Sequence, residues 1–339
     1  MWFLRGATGG ITPSVLPSFS MLKPDILGHE AARRELQNDL ASGNVSHAYL
    51  FAGPRHLGKM TLARRFAFQL LSFGADPAAT EHIRHDCERL THPDLFIFDR
   101  LWIAEQCEDW SVIAKTSNVP QQEREKRKFK TDTISIEDIR ALQEWLHETA
   151  AGRYRCCIIR SAERLQTEAA NALLKILEEP PSSLVFVFTT QALSSMLPTI
   201  VSRMRVLRFH PLGHRELLPL LAGVSEEDRQ FILHLAQGAP GIVHQLTEDP
   251  ESLRAHRLVH TKAISFWKTK SLKERLQILE PLTERGEESD QLLLHLALAL
   301  REHAAPTMES VTALHSLAEG LRTNAHRGLL MRRFALAIP

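Results

Sequence analysis

Apolar positions follow two alternating patterns up to about residue 211 and a single pattern beyond it. Short unbroken apolar runs predict buried strands at His47–Ala52, Leu95–Phe98, Cys156–Ile159 and Leu184–Phe188, with a fifth at Val206–Phe209. Between them the spacing turns helical. Leu27, Ala31, Leu36 and Leu40 predict a first helix that Gly43-Asn44 stops. Further helices are expected at Thr61–Leu71, at Ile134–Leu146 with Ser135 as N-cap ahead of Glu137 and Asp138, and at Thr167–Glu178, ended by Pro180-Pro181. Strands alternating with helices make a parallel sheet covered on both faces. After Pro211 only helical spacing continues, at Leu217–Leu221, Glu226–Ala236, Gly241–Leu246, Gln291–Arg301 and Arg327–Ala337.

This pattern divides the chain into four parts. Residues 1–20 are expected to be a disordered extension, because Gly10, Pro13 and Pro17 interrupt the apolar stretch and translation from Met21 would serve equally well. Residues 21–211 form the α/β domain, residues 212–250 a helical lid and residues 251–339 a separate helical domain. An insertion at about 101–131 has no clean period. Its run Gln121–Lys130 holds five basic and two acidic side chains, read as a solvated segment rather than a nucleic-acid patch.

Composition narrows the function classes. Hydrophobic residues make up 44% of the 339, enough for a buried core in two or three domains. Lys+Arg number 41 against 40 Asp+Glu, a balance that argues against a protein coated in positive charge for nucleic acid. No apolar run reaches the ~18 residues of a membrane span. Cys87, Cys107, Cys156 and Cys157 form no C-x-x-C pair, so a reduced, cytoplasmic chain is expected.

The chemistry concentrates at Gly53-Pro54-Arg55-His56-Leu57-Gly58-Lys59-Met60-Thr61, which fits G-x-x-x-x-G-K between a strand and a helix. In such a loop backbone N–H groups and the helix N-terminus face an anion, and Lys59 reaches the outer phosphates. Gly53, Gly58, Lys59 and Thr61 are the candidate nucleotide-binding residues. Met60 stands where a Ser or Thr hydroxyl would hold Mg²⁺, and Thr61 comes one residue late, about 100° around the helix. Arg160 and Ser161 follow the third strand, where phosphoryl-transfer enzymes keep an acidic residue; Glu163 lies further on. The expectation is therefore a loop that is purely structural and binds nothing, or one that holds ATP or ADP without hydrolysis.

Read in order, His47-Ala48-Tyr49-Leu50-Phe51-Ala52-Gly53-Pro54…Gly58-Lys59, His92-Pro93-Asp94 and Ala169-Ala170-Asn171-Ala172-Leu173-Leu174-Lys175-Ile176-Leu177-Glu178-Glu179-Pro180-Pro181 resemble the bacterial DNA polymerase III clamp-loader AAA+ subunits. The resemblance is strong over about 25–209; beyond it only the layout and Gly238-Ala239-Pro240-Gly241 match. It implies an AAA+ P-loop parallel sheet, a small helical lid and an all-helical C-terminal collar. It also implies a hetero-oligomer with the loader's delta and tau/gamma subunits, acting on the sliding clamp and primer–template DNA, with no membrane partner. Four departures point away from the family's tau/gamma ATPase toward its delta-prime subunit: Met60, Arg160-Ser161, a single cysteine (Cys87) in the zinc region, and Gly241-Ile242 where the lid would carry an arginine. Ala162-Glu163-Arg164-Leu165 has the delta-prime look as well. The alternative within the fold is an independent AAA+ ATPase.

The same resemblance makes Arg203, in Ser202-Arg203-Met204, an arginine finger that completes a neighbouring subunit's ATP site in trans. Thr190, or its neighbour Thr189, stands at the position of the family's sensor-1 residue. His82, His85, Cys87 and His92 make a poor zinc set, since His92 belongs to the His-Pro-Asp turn; no metal is expected. None of the 17 histidines is assigned a role.

Overall fold

The computed structural model describes residues 26–98, 133–302 and 307–338. The expected extension and the whole of the insertion lie outside them. The described residues fall into two compact units, 26–218 with 238–241, and 219–237 with 242–338.

The first unit is built on five parallel strands: β1 (Ala48–Ala52), β2 (Leu95–Phe98), β3 (Arg155–Ile159), β4 (Leu184–Thr190) and β5 (Arg205–Arg208), ordered β2-β3-β4-β1-β5. The strands β1 to β4 are buried at every position, which is why they read as unbroken apolar stretches. β5 differs. At the edge opposite β2, it buries only Leu207 fully, and it starts one residue earlier than the apolar run suggests. The reason is Arg205, whose Nη1 sits 2.7 Å from each Asp39 oxygen while its Nε donates to Glu35 at 2.5 Å. Asp39 also accepts from the Tyr49 hydroxyl at 2.8 Å, so one buried carboxylate ties the edge strand to α1 (Glu30–Ser42) and β1.

Helices cover the sheet: α2 (Lys59–Leu71), α3 (Pro77–Glu88), α4 (Ile136–His147), α5 (Thr167–Glu178) and the single turns α6 (Pro198–Val201) and α7 (His214–Leu217). Gly43 stops α1 in a left-handed conformation, φ 69°, donating to Asp39 and Leu40. Ser135 caps α4, and Asp138 rather than Glu137 answers it, accepting from the Ser135 N–H at 2.7 Å. One core joins sheet and helices, with Phe186, Phe188, Leu173 and Leu142 at its centre.

The His92-Pro93-Asp94 turn is a strut. Asp94, 1% exposed, accepts from the Ala151 and Gly152 N–H groups at 2.9 Å each and faces the buried Arg155 guanidinium at 3.5 Å. The Trp145 indole N–H donates to the Pro93 carbonyl at 2.8 Å, and Arg155 lies 3.8 Å over the same indole. The turn thereby locks β2, β3 and α4 together.

The second unit is helical. Its main elements are α8 (Glu226–Ala236), α9 (Pro240–Glu248, with its first two residues in the other unit), α10 (Pro250–Lys268), α11 (Leu272–Ile278), α12 (Glu287–Glu302), α13 (Met308–Arg322) and α14 (Arg327–Ala337). Phe266 stacks on Phe334 at 5.2 Å, and the Trp267 indole N–H donates to the Leu296 carbonyl at 2.9 Å. Buried Arg275 donates to the Ala335 and Ile338 carbonyls, closing the C-terminal end of α14. No helix among the described residues is long and apolar enough to cross a membrane.

Candidate functional site

The carboxyl ends of β1, β3 and β4 open into a cavity of about 670 Å³, where open α/β sheets bind their ligands. The loop after β1 frames one side. Gly53 leaves the strand at φ 155°, and its N–H donates to the Thr190 carbonyl at 3.1 Å. A Cβ there would stand 2.3 Å from the Phe209 carbonyl oxygen, so only glycine allows β1 and the chain after β5 to come this close. His56 (φ 60°) and Gly58 (φ 82°) both turn left-handed before α2 begins at Lys59.

Gly58, Lys59 and Thr61 line the cavity, together with Met60, Arg160, Ser161, Thr189 and Thr190. Three of the four loop candidates and the threonines of the fourth strand's end are thus brought to one place, while Gly53 is not on the lining and meets Lys59 through its carbonyl. Lys59 is turned inward. Its Nζ donates to the Gly53 carbonyl at 2.6 Å and to the Pro54 carbonyl, and it is only 9% exposed. Burial pushes its pKa down to about 8; Glu163 opposes the shift, and Arg160 and Arg55 add to it. His56 is lowered too, by burial first and then by Arg55, Arg160 and Lys59. The cavity is therefore a gathering of cations. Among the described lining residues a single carboxylate, that of Glu163, answers them. Magnesium beside a triphosphate wants hard oxygen ligands, and Met60 and Arg160 occupy the positions that would supply them. Neither of those two side chains fits that ion.

Glu163 is the residue that sequence spacing misplaces. The left-handed Ser161 (φ 53°) and the 3₁₀ turn at Ala162–Arg164 bend the chain back, so the carboxylate that seemed displaced lines the cavity after all. Both of its oxygens are buried without a hydrogen-bond partner among the described residues.

Thr189 and Thr190 use their hydroxyls differently. Thr189 accepts from the Ser161 N–H at 3.0 Å, joining the ends of β3 and β4, whereas Thr190 donates to the Ala192 carbonyl at 3.1 Å. On the far side Gly241 donates its N–H to the His56 carbonyl at 2.9 Å. A Cβ at Gly241 would lie 3.0 Å from that carbonyl oxygen, so the close approach of the two backbones favours a residue without a side chain here.

Arg203 is not among the residues lining this cavity. It follows α6 on the protein surface. Its Nη2 donates to Glu178 Oε1 at 2.7 Å and its Nη1 to the Thr199 carbonyl at 2.8 Å, with about a third of the side chain exposed. Glu178 belongs to the Leu177–Pro181 segment, so two of the recognisable strings meet here.

The cysteine region gathers no ligand set among the described residues. Cys87 is buried, and burial pushes its thiol up to about 12, which disfavours the thiolate a metal needs.

A parallel sheet in the order β2-β3-β4-β1-β5, with a G-x-x-x-x-G-K loop leaving its central-region strand β1, defines an AAA+ α/β protein followed by a helical C-terminal part. A family model described as "DNA polymerase III, delta subunit" matches residues 28–213, more than half of the chain, and the chain belongs to that family. Its relatives include the DNA polymerase III subunit delta' of Bacillus subtilis, 32% identical over 236 residues, covering 67% of this chain and 60% of the relative. The subunit gamma/tau of Mycobacterium bovis is 30% identical over 205 residues, covering 60% of this chain but 31% of that protein. The Escherichia coli subunit tau is 27% identical over 334 residues, covering 93% of this chain and 47% of that one. The chain thus spans less than two thirds of these relatives. Among solved structures, a DNA polymerase III gamma subunit-related protein of Thermotoga maritima aligns with a TM-score of 0.49 at 17% identity, covering 89% of this chain and 98% of that one.

Proposed function

We propose that the chain is a delta-prime-like subunit of the DNA polymerase III clamp loader that turns over no ATP at its own loop and lends Arg203 to an adjoining ATPase subunit. The observation that carries this reading is the cationic cavity: Arg160 stands at the end of β3, Lys59 is folded onto the loop's own carbonyls, and Met60 replaces the hydroxyl ligand. A nucleotide's phosphates suit such a cavity; a hydrolytic metal beside them does not. ATP or ADP is then held, if bound, as a structural ligand. The partners would be the delta and tau/gamma subunits, with the sliding clamp and primer–template DNA reached through the complex in the cytoplasm. The surface position of Arg203 outside its own cavity supports a role in trans, where a guanidinium stabilises charge on the transferred phosphate. Exposed apolar side chains on the helical unit, Leu258, Leu329 and Leu336 among them, support a collar that packs against neighbours.

The test is reconstitution with the partner subunits. Arg203→Ala should leave assembly intact and lower clamp-stimulated ATP hydrolysis by the complex; unchanged turnover would remove the finger role. The Glu163 carboxylate favours one other reading, an independent AAA+ ATPase that uses it in place of the missing strand-end acid. That reading predicts steady turnover by the isolated chain, lost in Glu163→Gln.

A further inference from the structure

We propose that His234, His260 and Glu302 form a divalent metal site of the zinc class, joining three helices of the C-terminal helical unit. The three residues come from α8, α10 and α12, far apart in sequence. His234 Nε2 lies 2.8 Å from Glu302 Oε1, and His260 Nε2 lies 3.1 Å from Glu302 Oε2. All three ligand atoms fall within 4.8 Å of one another. Zinc bonds of about 2.0–2.2 Å at tetrahedral angles put neighbouring ligand atoms about 3.4 Å apart. The two close pairs must open slightly and the widest pair must close by up to about 1.4 Å, movements within reach of side-chain rotation, to admit the ion.

Three observations separate this group from an ordinary histidine–carboxylate contact. His234 Nε2 is buried and close to Glu302, yet it makes no well-angled hydrogen bond there. A ring nitrogen left without a hydrogen bond in this way has its lone pair to offer an ion that the carboxylate also ligates. Second, the other nitrogen of His260 is already held: Nδ1 lies 3.2 Å from His295 Nδ1, and His295 Nε2 lies 2.9 Å from His256 Nδ1. Metal-bound imidazoles are oriented through their second nitrogen in this manner. Third, nearby arginines are engaged elsewhere. Arg301 donates to Gln237 Oε1 at 2.7 Å, and Arg257 pairs with Glu227 and Asp228, which leaves the Glu302 charge for the two imidazoles.

The histidine chain accommodates the metal without an unpaired proton. With Nε2 of His260 on the ion, its proton sits on Nδ1 and is donated to His295 Nδ1; His295 then carries its own proton on Nε2 and donates it to His256 Nδ1. Every ring stays neutral, and the hydrogen bonds point one way. Phe231, 5.5 Å from the His260 ring, walls one side, while His234 and Glu302 are about a third exposed and leave water access for a fourth ligand. Two imidazoles, one carboxylate and a water make a donor set that suits zinc and not magnesium. The site would fasten the helical unit rather than carry out a reaction.

The experiment titrates the full chain, stripped with a chelator, with ZnCl₂ in a calorimeter, and with Co²⁺ for its visible spectrum. One equivalent of zinc should bind and raise the melting temperature, and Co²⁺ should give four- or five-coordinate bands without a thiolate charge-transfer band. His234→Gln and Glu302→Gln should each weaken zinc binding at least tenfold while the metal-free proteins melt as the parent does. Long-range ¹H–¹⁵N spectra of the unmutated chain supply a readout independent of any variant, since zinc should move the His260 and His295 protons to Nδ1 and Nε2 respectively. Zinc affinity unchanged from the parent in both variants, a thiolate band with Co²⁺, absence of saturable binding, or unchanged histidine spectra would each overturn the proposal.

Discussion

Replacing Asp94 by alanine removes a carboxylate that is 1% exposed and holds the His92-Pro93-Asp94 turn closed. The loss is calculable from its partners. Two N–H groups, of Ala151 and Gly152, donate to Oδ2 at 2.9 Å, and Arg155 Nε stands 3.5 Å from Oδ1. Hydrogen bonds to a charged acceptor contribute about 1.5–3 kcal/mol each, and breaking a buried pair costs about 3–5 kcal/mol. Two features hold the cost to the lower end: Gly152 is exposed, so water can reach its N–H, and Arg155 keeps the Leu146, Glu148 and Trp145 carbonyls. The expected loss is about 3 kcal/mol. For a unit of this size that lowers the melting temperature by about 6–12 °C. Asp94→Asn, which keeps an acceptor but not the charge, should lose roughly half as much. Calorimetry on the intact chain resolves the transition of the sheet-containing unit. A fall of less than about 2 °C in Asp94→Ala would show that the turn is not a strut and that the reading of this motif as structural is wrong.

Other perturbations test separate links. Gly53→Ala puts a Cβ 2.3 Å from the Phe209 carbonyl oxygen, so it should yield little folded protein or a melting temperature lowered by more than about 6 °C. Lys59, with its pKa lowered to about 8, carries charge below that pH and loses it above. ADP affinity, followed by fluorescence titration at constant ionic strength, should therefore fall as pH rises from 7 to 9.5, with the dependence flattened in Lys59→Gln. The sign for stability is the reverse: between about 8 and the unfolded value near 10.5 the unfolded chain binds more protons, so this lysine's contribution to stability rises with pH. Glu178→Gln breaks an exposed pair with Arg203 and should change unfolding free energy by less than about 1 kcal/mol in a denaturant titration.

The residues that announced themselves in the sequence are those whose local chemistry is self-sufficient. β1 and β4 are buried on both faces and so read as unbroken apolar runs, and the glycine spacing of the loop matches the turns at Gly53 and Gly58. α3 left no such mark. Of its twelve residues only Cys87 is buried, so no apolar stripe advertises it; its signals are Asp76, capping the Ala79 N–H at 2.8 Å, and Pro77 at the first position. Arg205 was hidden because the salt bridges that place it come from Glu35 and Asp39 far upstream. Glu163 was hidden by a left-handed serine, a backbone state that residue type does not announce. The histidine group at His234, His260 and His295 exists only once three helices pack, so no spacing along the chain marks it.

Steady-state ATP hydrolysis by the purified chain alone, with Mg²⁺ and without partner subunits, bears most directly on the account. The prediction is turnover indistinguishable from a Lys59→Ala control. Sustained Mg²⁺-dependent hydrolysis that this substitution abolishes would contradict it.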